Sequence, residues 1–592
     1  MHLITSGTIP PVSPVCSASC PAKSKFFADE PTFSPHKTDS GNARQPIDVN
    51  PIHSRLLTAS NPVSASCDIL FLGSGHNALV AQAYLARAGL RTLCLEQSPV
   101  AGGGLATIEN PHLPGFLHNP HSFFHRGITA MPWYRDLELE SLGARYVEPA
   151  LNVALLCRDG RRLEWWVDPE RTIASFANFS KQDAVTLRRW MDEFRPIATD
   201  ILAAEAQSPP LPREQRRALL NRTPAGRRLL DVSACSPLEF VTREFENDTI
   251  RAGLLFFNGL REIDLRQRGF GHAIPALLAS PRKAQLCIGG SANLARALVA
   301  AIEQHGGQIR CGVSITRILL HNGNAVGVEL NSGEVIHAQT VVSGLNPQQT
   351  FLQLLPAESV PAALRAQAAG FQYNLLAPLF GLHVALDAPP QYGPFDEPPF
   401  MTILGLERFG QFHDIVRAHE RGEIPDTVAW GACPTLHDPS QAPPHQHTAF
   451  LWEKLPFALR GDAANWKRET AAHAQRLLDF WADYAPNLRA SVLDQFALSP
   501  ADTVATLPNM TDGDLLVGAF SNDQVGHHRP FPGAGNYRTP IGQLYLCGGS
   551  THPGGNITGL CGYNAAGVIA ADAGIKHWWN PPNLVAHLES LR

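Results

Sequence analysis

Residues 68 to 97 read DILFLGSGHNALVAQAYLARAGLRTLCLEQ, and the small and acidic residues in this stretch stand where a dinucleotide can be held. Gly73 allows a tight turn, Gly75 lets main chain approach a pyrophosphate, and Ala78 takes the third position, where helix and strand pack closely. Ser74 and Asn77 lie between them and belong to the same candidate site. A helix starting here offers unpaired N–H groups and about half a positive charge to the pyrophosphate. Glu96, 23 residues after Gly73, ends the next apolar run. Its carboxylate accepts from both ribose hydroxyls and repels a 2'-phosphate. Gln97 follows it. The motif alone leaves NAD and FAD both open.

Two further glycine clusters bear on that choice. EQSPVAGGGLAT places Gly102, Gly103 and Gly104 directly after the ribose carboxylate, with Thr107 beyond. A nicotinamide site has no need of glycines there, whereas a flavin-binding fold runs a second stretch of main chain past the pyrophosphate. Near the C-terminus, LYLCGGSTHPGGNITGLCGYNAAG at 544 to 567 repeats the order of apolar run, glycine turn and helix. The two turns are expected to hold opposite ends of one bound molecule.

The elements that must position these residues follow from local pattern. CDILFLG is a continuous apolar run, as a strand buried on both faces requires. HNALVAQAYLARAG sets Leu79, Ala83 and Ala86 at helical spacing until Gly89, and RTLCLE supplies a second strand. Strand, helix and strand in about thirty residues make a βαβ unit. Downstream, 287 to 344 opens with a helix bearing Leu294, Leu298 and Ile302 on one face, stopped by Gly306 and Gly307. Three alternating runs follow, turned at HNGN and NSGE, and read as antiparallel strands; AQTVVSG closes the block as a strand returning to a sheet.

Together these stretches resemble the FAD-dependent amine oxidase and phytoene desaturase superfamily over three separated blocks, about 68 to 127, 285 to 347 and 505 to 573. THPG at 551 to 554 is the most family-specific piece, and HRPFPGAGNYRTPIGQLYLCG at 528 to 548 is similar to phytoene dehydrogenase-like proteins. The resemblance implies FAD as cofactor, with Gly103, Gly104, Gly549, Ser550, Asn556, Ile557 and Thr558 among its contacts and Ile315 as a main-chain contact to adenine. It also implies one reason for the glycines at 548, 549, 554, 555 and 559: main chain passing a flat cofactor without side chains between. Ala78 in place of a third glycine, and Gln97 where the family often has a basic residue, depart from the pattern without opposing FAD.

The expected fold is α/β, a Rossmann-like FAD-binding domain with an inserted α+β substrate domain. The flexible N-terminal extension is 1 to 62. The FAD-binding domain takes 63 to 154, 285 to 346 and 496 to 575, the substrate domain takes 155 to 284 and 347 to 495, and 576 to 592 forms a tail.

Composition excludes several classes of function. The 592 residues are 44% hydrophobic and 17% charged with net charge -5, so no electrostatic signal points to nucleic acid. PREQRRALLNRTPAGRRL at 212 to 229 reads as a solvated helical face. Eleven cysteines without a Cys-x-x-Cys pair fit a reducing compartment and no metal site, Cys16 and Cys20 included. No apolar run approaches the ~18 residues of a membrane span. The expected location is cytoplasmic, with peripheral membrane contact left open.

Flavin chemistry needs no compulsory base, and no side chain is assigned a catalytic role. The expected activity is an FAD-dependent dehydrogenase or oxidase removing hydride from an apolar or amphipathic organic substrate, leaving C=C or C=N, with oxygen, quinone or another electron acceptor. A flavin-dependent isomerase or saturase, a non-catalytic prenyl-binding escort of related fold, and plain NAD binding are the alternatives. His118, His121 and His125 in PGFLHNPHSFFHRG are expected near the cofactor, chiefly as hydrogen-bonded loop residues, with a substrate-facing or proton-handling role as the next reading and a metal site, which Pro120 disturbs, as the last; His552 is expected to be structural. Arg261, Glu262, Asp264 and His272 are candidates for the chamber lining, more readily read as a solvated or ion-paired face. The apolar stretches IRAGLLFFNGL and LLAPLFGLHVAL are chamber-wall candidates that core packing explains equally well.

Overall fold

The computed structural model describes residues 66–591, with backbone alone for Ser66 and for 257–262. The expected N-terminal extension and Cys16 and Cys20 lie outside the described residues.

The apolar run at 66–72 forms the strand Ser66–Leu72, with parallel neighbours on both sides, Thr92–Leu95 and Val335–Ser343. The sheet continues through Gln308–Arg310 at one edge and through Asn324–Leu330 and Ile315–His321 at the other, while Leu544–Leu546 pairs parallel with Val335–Ser343. Val335–Ser343 carries two roles. Its start pairs antiparallel with Asn324–Leu330, and its later residues run parallel to Ser66–Leu72.

Register then decides where the turns fall. Leu72 faces Leu95 and Ser343, Leu95 faces Arg310, and Ser343 faces Leu546, so five parallel strands end level at one edge. Gly73, Glu96, Gly344 and Gly548 leave from that edge, the place where open α/β sheets bind ligands. The helix His76–Arg87 is buried from Asn77 to Ala86. A helix buried all round must have neighbours on several sides, and here they are Ala292–Gln304 and Leu560–Asp572, sharing one apolar core with Leu79, Tyr84, Leu298 and Tyr563.

The second sheet has seven strands in the order Val492–Leu498, Leu379–Leu386, His447–Lys454, Ala429–Ala432, Met401–Leu404, Leu151–Leu156 and Arg162–Trp166. All neighbours are antiparallel except Met401–Leu404 with Leu151–Leu156. Alternation sorts its side chains. Val153, Leu155, Ile403, Trp430 and Trp452 enter a core with Trp190 and Phe240, while Ala154, Leu156, Leu382 and Leu451 pack with Trp466, Leu477 and Trp481 of the helix Trp466–Tyr484. Sheet and helices together form the α+β part of an α/β protein.

Of the two apolar stretches considered as chamber walls, Ile250, Leu254, Leu255 and Phe256 and, in the other, Leu376, Leu379, Phe380, Leu382, Val384 and Leu386 belong to these cores, while the side chains of 257–260 lie outside those described. Leu379–Leu386 is buried along its whole length. In the helix Asp248–Glu262, Gly253 sits so close to Trp165 that a Cβ there would lie 2.9 Å from the ring.

Candidate functional site

Gly73 takes φ +83°, a left-handed conformation open to glycine, and its N–H donates to the Leu95 carbonyl at 2.8 Å. Around Gly75 the reverse holds. Its φ is -59° and a Cβ placed on it would have nothing within 4 Å, because that side faces open cavity. Gly75 caps the helix His76–Arg87 with no side-chain hydrogen bond to the first turn, so those N–H groups stay available. Asn77 Oδ1 is buried with no partner among the described residues. The stretch at 102–104 runs alongside, with Gly102 N–H donating to the Ser74 carbonyl at 3.1 Å.

Glu96 is oriented before any ligand arrives. Its Oε2 accepts from Ser74 N–H at 2.8 Å and Ser74 Oγ at 2.7 Å, and its Oε1 accepts from Ser98 N–H at 2.8 Å. Ser74 is buried behind the cavity lining, its hydroxyl engaged by Glu96. A carboxylate offers about four lone-pair positions, so Glu96 keeps acceptor capacity beyond these three hydrogen bonds.

The C-terminal turn meets the first one directly. His76 Nε2 lies 3.0 Å from the Asn556 carbonyl, and a Cβ on Gly562 would lie 1.8 Å from the Asn77 carbonyl oxygen. The level strand ends place them side by side. The single reason expected for the C-terminal glycines fails with this packing. A Cβ on Gly555 would strike the Leu516 carbonyl at 1.9 Å, one on Gly548 the Gly344 carbonyl at 2.3 Å, and ones on Gly554 and Gly559 the rings of Phe520 and Trp133. These glycines make room for protein. Of the five, Gly549 is the one whose Cβ would meet nothing closer than 3.4 Å.

A buried guanidinium holds this turn. Arg529, fully buried, donates to the carbonyls of Gly518, Ala519, Gln524, Gly549 and Thr551 at 2.9 to 3.2 Å. Burial pulls it down to about 10. Asp514, also buried, accepts from the N–H groups of Asn374, Leu516 and Gly518. Nothing in local sequence pattern singles out either residue, since their partners are carbonyls and amides from distant segments.

These segments enclose a cavity of about 1000 Å³, at the upper end of ligand pockets (roughly 300–1,000 Å³). Gly73, Gly75, Asn77, Ala78, Glu96, Gln97, Gly103, Gly104, Ile315, Gly549, Asn556, Ile557 and Thr558 all line it. Ser550 does not; it is buried beneath Gly549, its Oγ unpartnered among the described residues. The glycine cradle, the free helix start, the unpartnered Asn77 oxygen and the ribose-ready carboxylate together fit FAD.

Away from the glycines the same cavity is walled by Phe123, Phe124, Met131, Leu277, Trp452 and Leu515, with His121, His125 and His272 among them. Burial pushes His121 and His272 down to about 4 and His125 to about 3, so all three imidazoles are neutral near pH 7. His125 Nδ1 lies 2.6 Å from Tyr146 Oη, and His272 Nδ1 lies 2.8 Å from Ser233 Oγ. His118 is set apart, its ring edge-on to His383 and Phe496. His552 Nε2 lies 2.9 Å from the Glu205 carbonyl. Asp264 pairs with Arg266 at 2.8 Å, and the side chains of Arg261 and Glu262 lie outside those described.

Among the described residues no group of three His, Cys, Asp or Glu side chains is arranged to hold a metal ion, and no helix is long and apolar enough to cross a membrane. Sequence reasoning missed His76, Trp452, Arg126 and Arg282 as lining residues. His76 carried a readable signal, being the first residue of the helix behind Gly75.

The model of the flavin containing amine oxidoreductase family matches residues 79–572. The chain is 28% identical over 544 residues to a component of the limonene dehydrogenase of Castellaniella defragrans, covering 88% of this chain and 97% of that protein. It is also 28% identical over 276 residues to a lycopene-forming phytoene desaturase of a Paracoccus species, covering 46% of this chain and 52% of the other. Among solved structures, cyclohexylamine oxidase from Brevibacterium oxydans superposes with a TM-score of 0.54 at 15% identity, over 86% of this chain and 99% of that one. At that identity the likeness is one of fold.

Proposed function

The chain belongs to the flavin-containing amine oxidoreductases, and from that premise we propose that it is an FAD-dependent dehydrogenase of an apolar or amphipathic organic compound, leaving C=C. The observation that carries this reading is the continuity of one cavity from the glycine cradle to walls of Phe123, Phe124, Met131, Leu277 and Trp452. FAD, the cofactor, supplies the hydride acceptor. In this reading Gly75 and the start of His76–Arg87 hold the pyrophosphate, Glu96 holds the ribose, and the main chain at Ile315 meets adenine. Gly549 and 556–558 hold the flavin end. The apolar walls align the substrate and exclude water, which strengthens every polar contact inside.

A cationic amine fits this chamber less well, because His121, His125 and His272 are neutral and no carboxylate besides Glu96 lines the cavity among the described residues. The names of the limonene and phytoene relatives support the apolar class. The electrons pass on to oxygen, a quinone or another acceptor.

The test is anaerobic. Purified protein should show bound oxidised flavin, and unsaturated apolar compounds, with and without a polar end, should bleach it while primary amines leave it unchanged. Bleaching by amines alone would overturn the reading, as would colourless protein that takes up no FAD. Product formed with no net flavin reduction would replace dehydrogenation by isomerisation.

A further inference from the structure

Three described residues lining the cavity carry a formal charge: Glu96, Arg126 and Arg282. Glu96 is tied to Ser74 and Ser98 on the cofactor side. The two arginines belong to a different part of the lining, where the short strand His125–Arg126 pairs with Ala284–Cys287 in the register Arg126 to Ala284. Gly127, with φ +55°, lets Arg282 approach, since a Cβ there would lie 2.5 Å from Arg282 Cβ.

Arg282 is half-buried, with Nη1 4.0 Å from Met131 Sδ, and it forms no ion pair among the described residues. Arg216, also partly buried, has Glu205 at 2.5 Å. The charge that acts on Arg282, Arg135, is of its own sign. Burial holds its guanidinium below the usual range and Arg135 adds to the shift; burial also pushes Lys283 down to about 8, with Arg126 adding. The acid beside this group, Glu148, accepts a hydrogen bond from Gln285 Nε2 at 3.1 Å. A desolvated cation such as Arg282, with no ion pair among the described residues, is costly, and an incoming anion relieves that cost with charge-assisted hydrogen bonds.

We propose that the chamber binds an amphipathic substrate whose apolar body lies along Phe124, Met131, Ile274 and Leu277 and whose terminal carboxylate is held by Arg282 and Arg126. The proposal rests on the dehydrogenase reading above and narrows its substrate class. It makes the enzyme selective against amines twice over, through the apolar wall and through like-charge repulsion.

Calorimetric titration of the oxidised holoenzyme with decanoate, 1-decanol and decylamine tests it. Decanoate should bind tighter than decanol by roughly tenfold or more, the scale of one hydrogen-bonded charge pair, and decylamine should bind weakest. Arg282→Gln and Arg126→Gln should each remove most of the decanoate advantage, Arg282→Lys should keep part of it, and flavin content should stay that of the wild type. Equal binding of acid and alcohol overturns the proposal, as does an acid preference that survives both glutamine variants. Loss of flavin in these variants alone would assign the arginines to the cofactor instead. Sedimentation with phosphatidylglycerol vesicles that is lost in the same variants, without a decanoate preference, would assign them to a lipid surface. A decanoate preference in protein that takes up no FAD would leave the anion site standing and remove the dehydrogenase reading.

Discussion

The turn after Ser66–Leu72 and the turn after Leu544–Leu546 leave the same sheet edge side by side, yet their glycines answer to different neighbours. At Gly75 the missing side chain leaves open space for a ligand. At Gly555 and Gly562 it leaves room for the Leu516 and Asn77 carbonyls. A glycine kept for a ligand can be replaced without unfolding the protein, whereas a glycine kept for packing cannot.

Gly562→Ala should give the largest effect. Alanine gains about 1 kcal/mol of helix propensity, but the added methyl would sit 1.8 Å from a carbonyl oxygen. The clash wins, and urea unfolding should record a net loss of about 3 kcal/mol. A neutral or stabilising result would break the contrast.

Gly75→Ala is the counterpart. At φ -59° with nothing near its Cβ, the variant should keep stability within about 1 kcal/mol while FAD binding by equilibrium dialysis weakens on the order of a hundredfold, about 2.7 kcal/mol. Equal losses of fold and cofactor would erase the distinction between the turns.

Glu96→Ala removes the ribose acceptor and the anchor of Ser74, so FAD should bind about tenfold more weakly. Unchanged flavin retention would refute the assignment of this carboxylate.

The smallest effect joins both turns through His76, half-buried and held at about 4, with buried His125 beside it at about 3. Their folded values lie below the unfolded value, about 6.5, so the unfolded chain binds more protons between the two. Stability is therefore full above about pH 6.5 and falls as pH drops toward about 4. Urea midpoints that stay level through that window would show these imidazoles titrating alike in both states.

The first glycine turn was legible because each part of it is local. Strand, turn, helix and acid follow within thirty residues, and periodicity places them. The antiparallel block from 315 to 343 was legible for the same reason, with Gly323 and Gly333 at its turns. The chamber was not. Leu379–Leu386 and Ile250–Phe256 are apolar enough to line a cavity, yet they fill cores, and Trp452, in a strand buried almost throughout, belongs to one of those cores and also reaches the chamber. Burial on both faces removes the alternation that would say which face a residue takes.

The histidines make the same point at closer range. His118, His121 and His125 look equivalent in PGFLHNPHSFFHRG, but two line the cavity and the first leans on His383 and Phe496. Arg529 was invisible for a further reason: a guanidinium satisfied by carbonyls leaves no acidic partner in the sequence to mark it.

By itself the sequence determined the βαβ unit and the presence of a second glycine turn, because each depends on steric and hydrogen-bonding rules acting over a few residues, and its resemblance to a flavin family gave the cofactor class. Tertiary structure alone decided which glycines face a ligand, which apolar stretches wall the chamber, and which cations reach its lining. Those are properties of neighbours hundreds of residues away, brought together by strand register and helix packing.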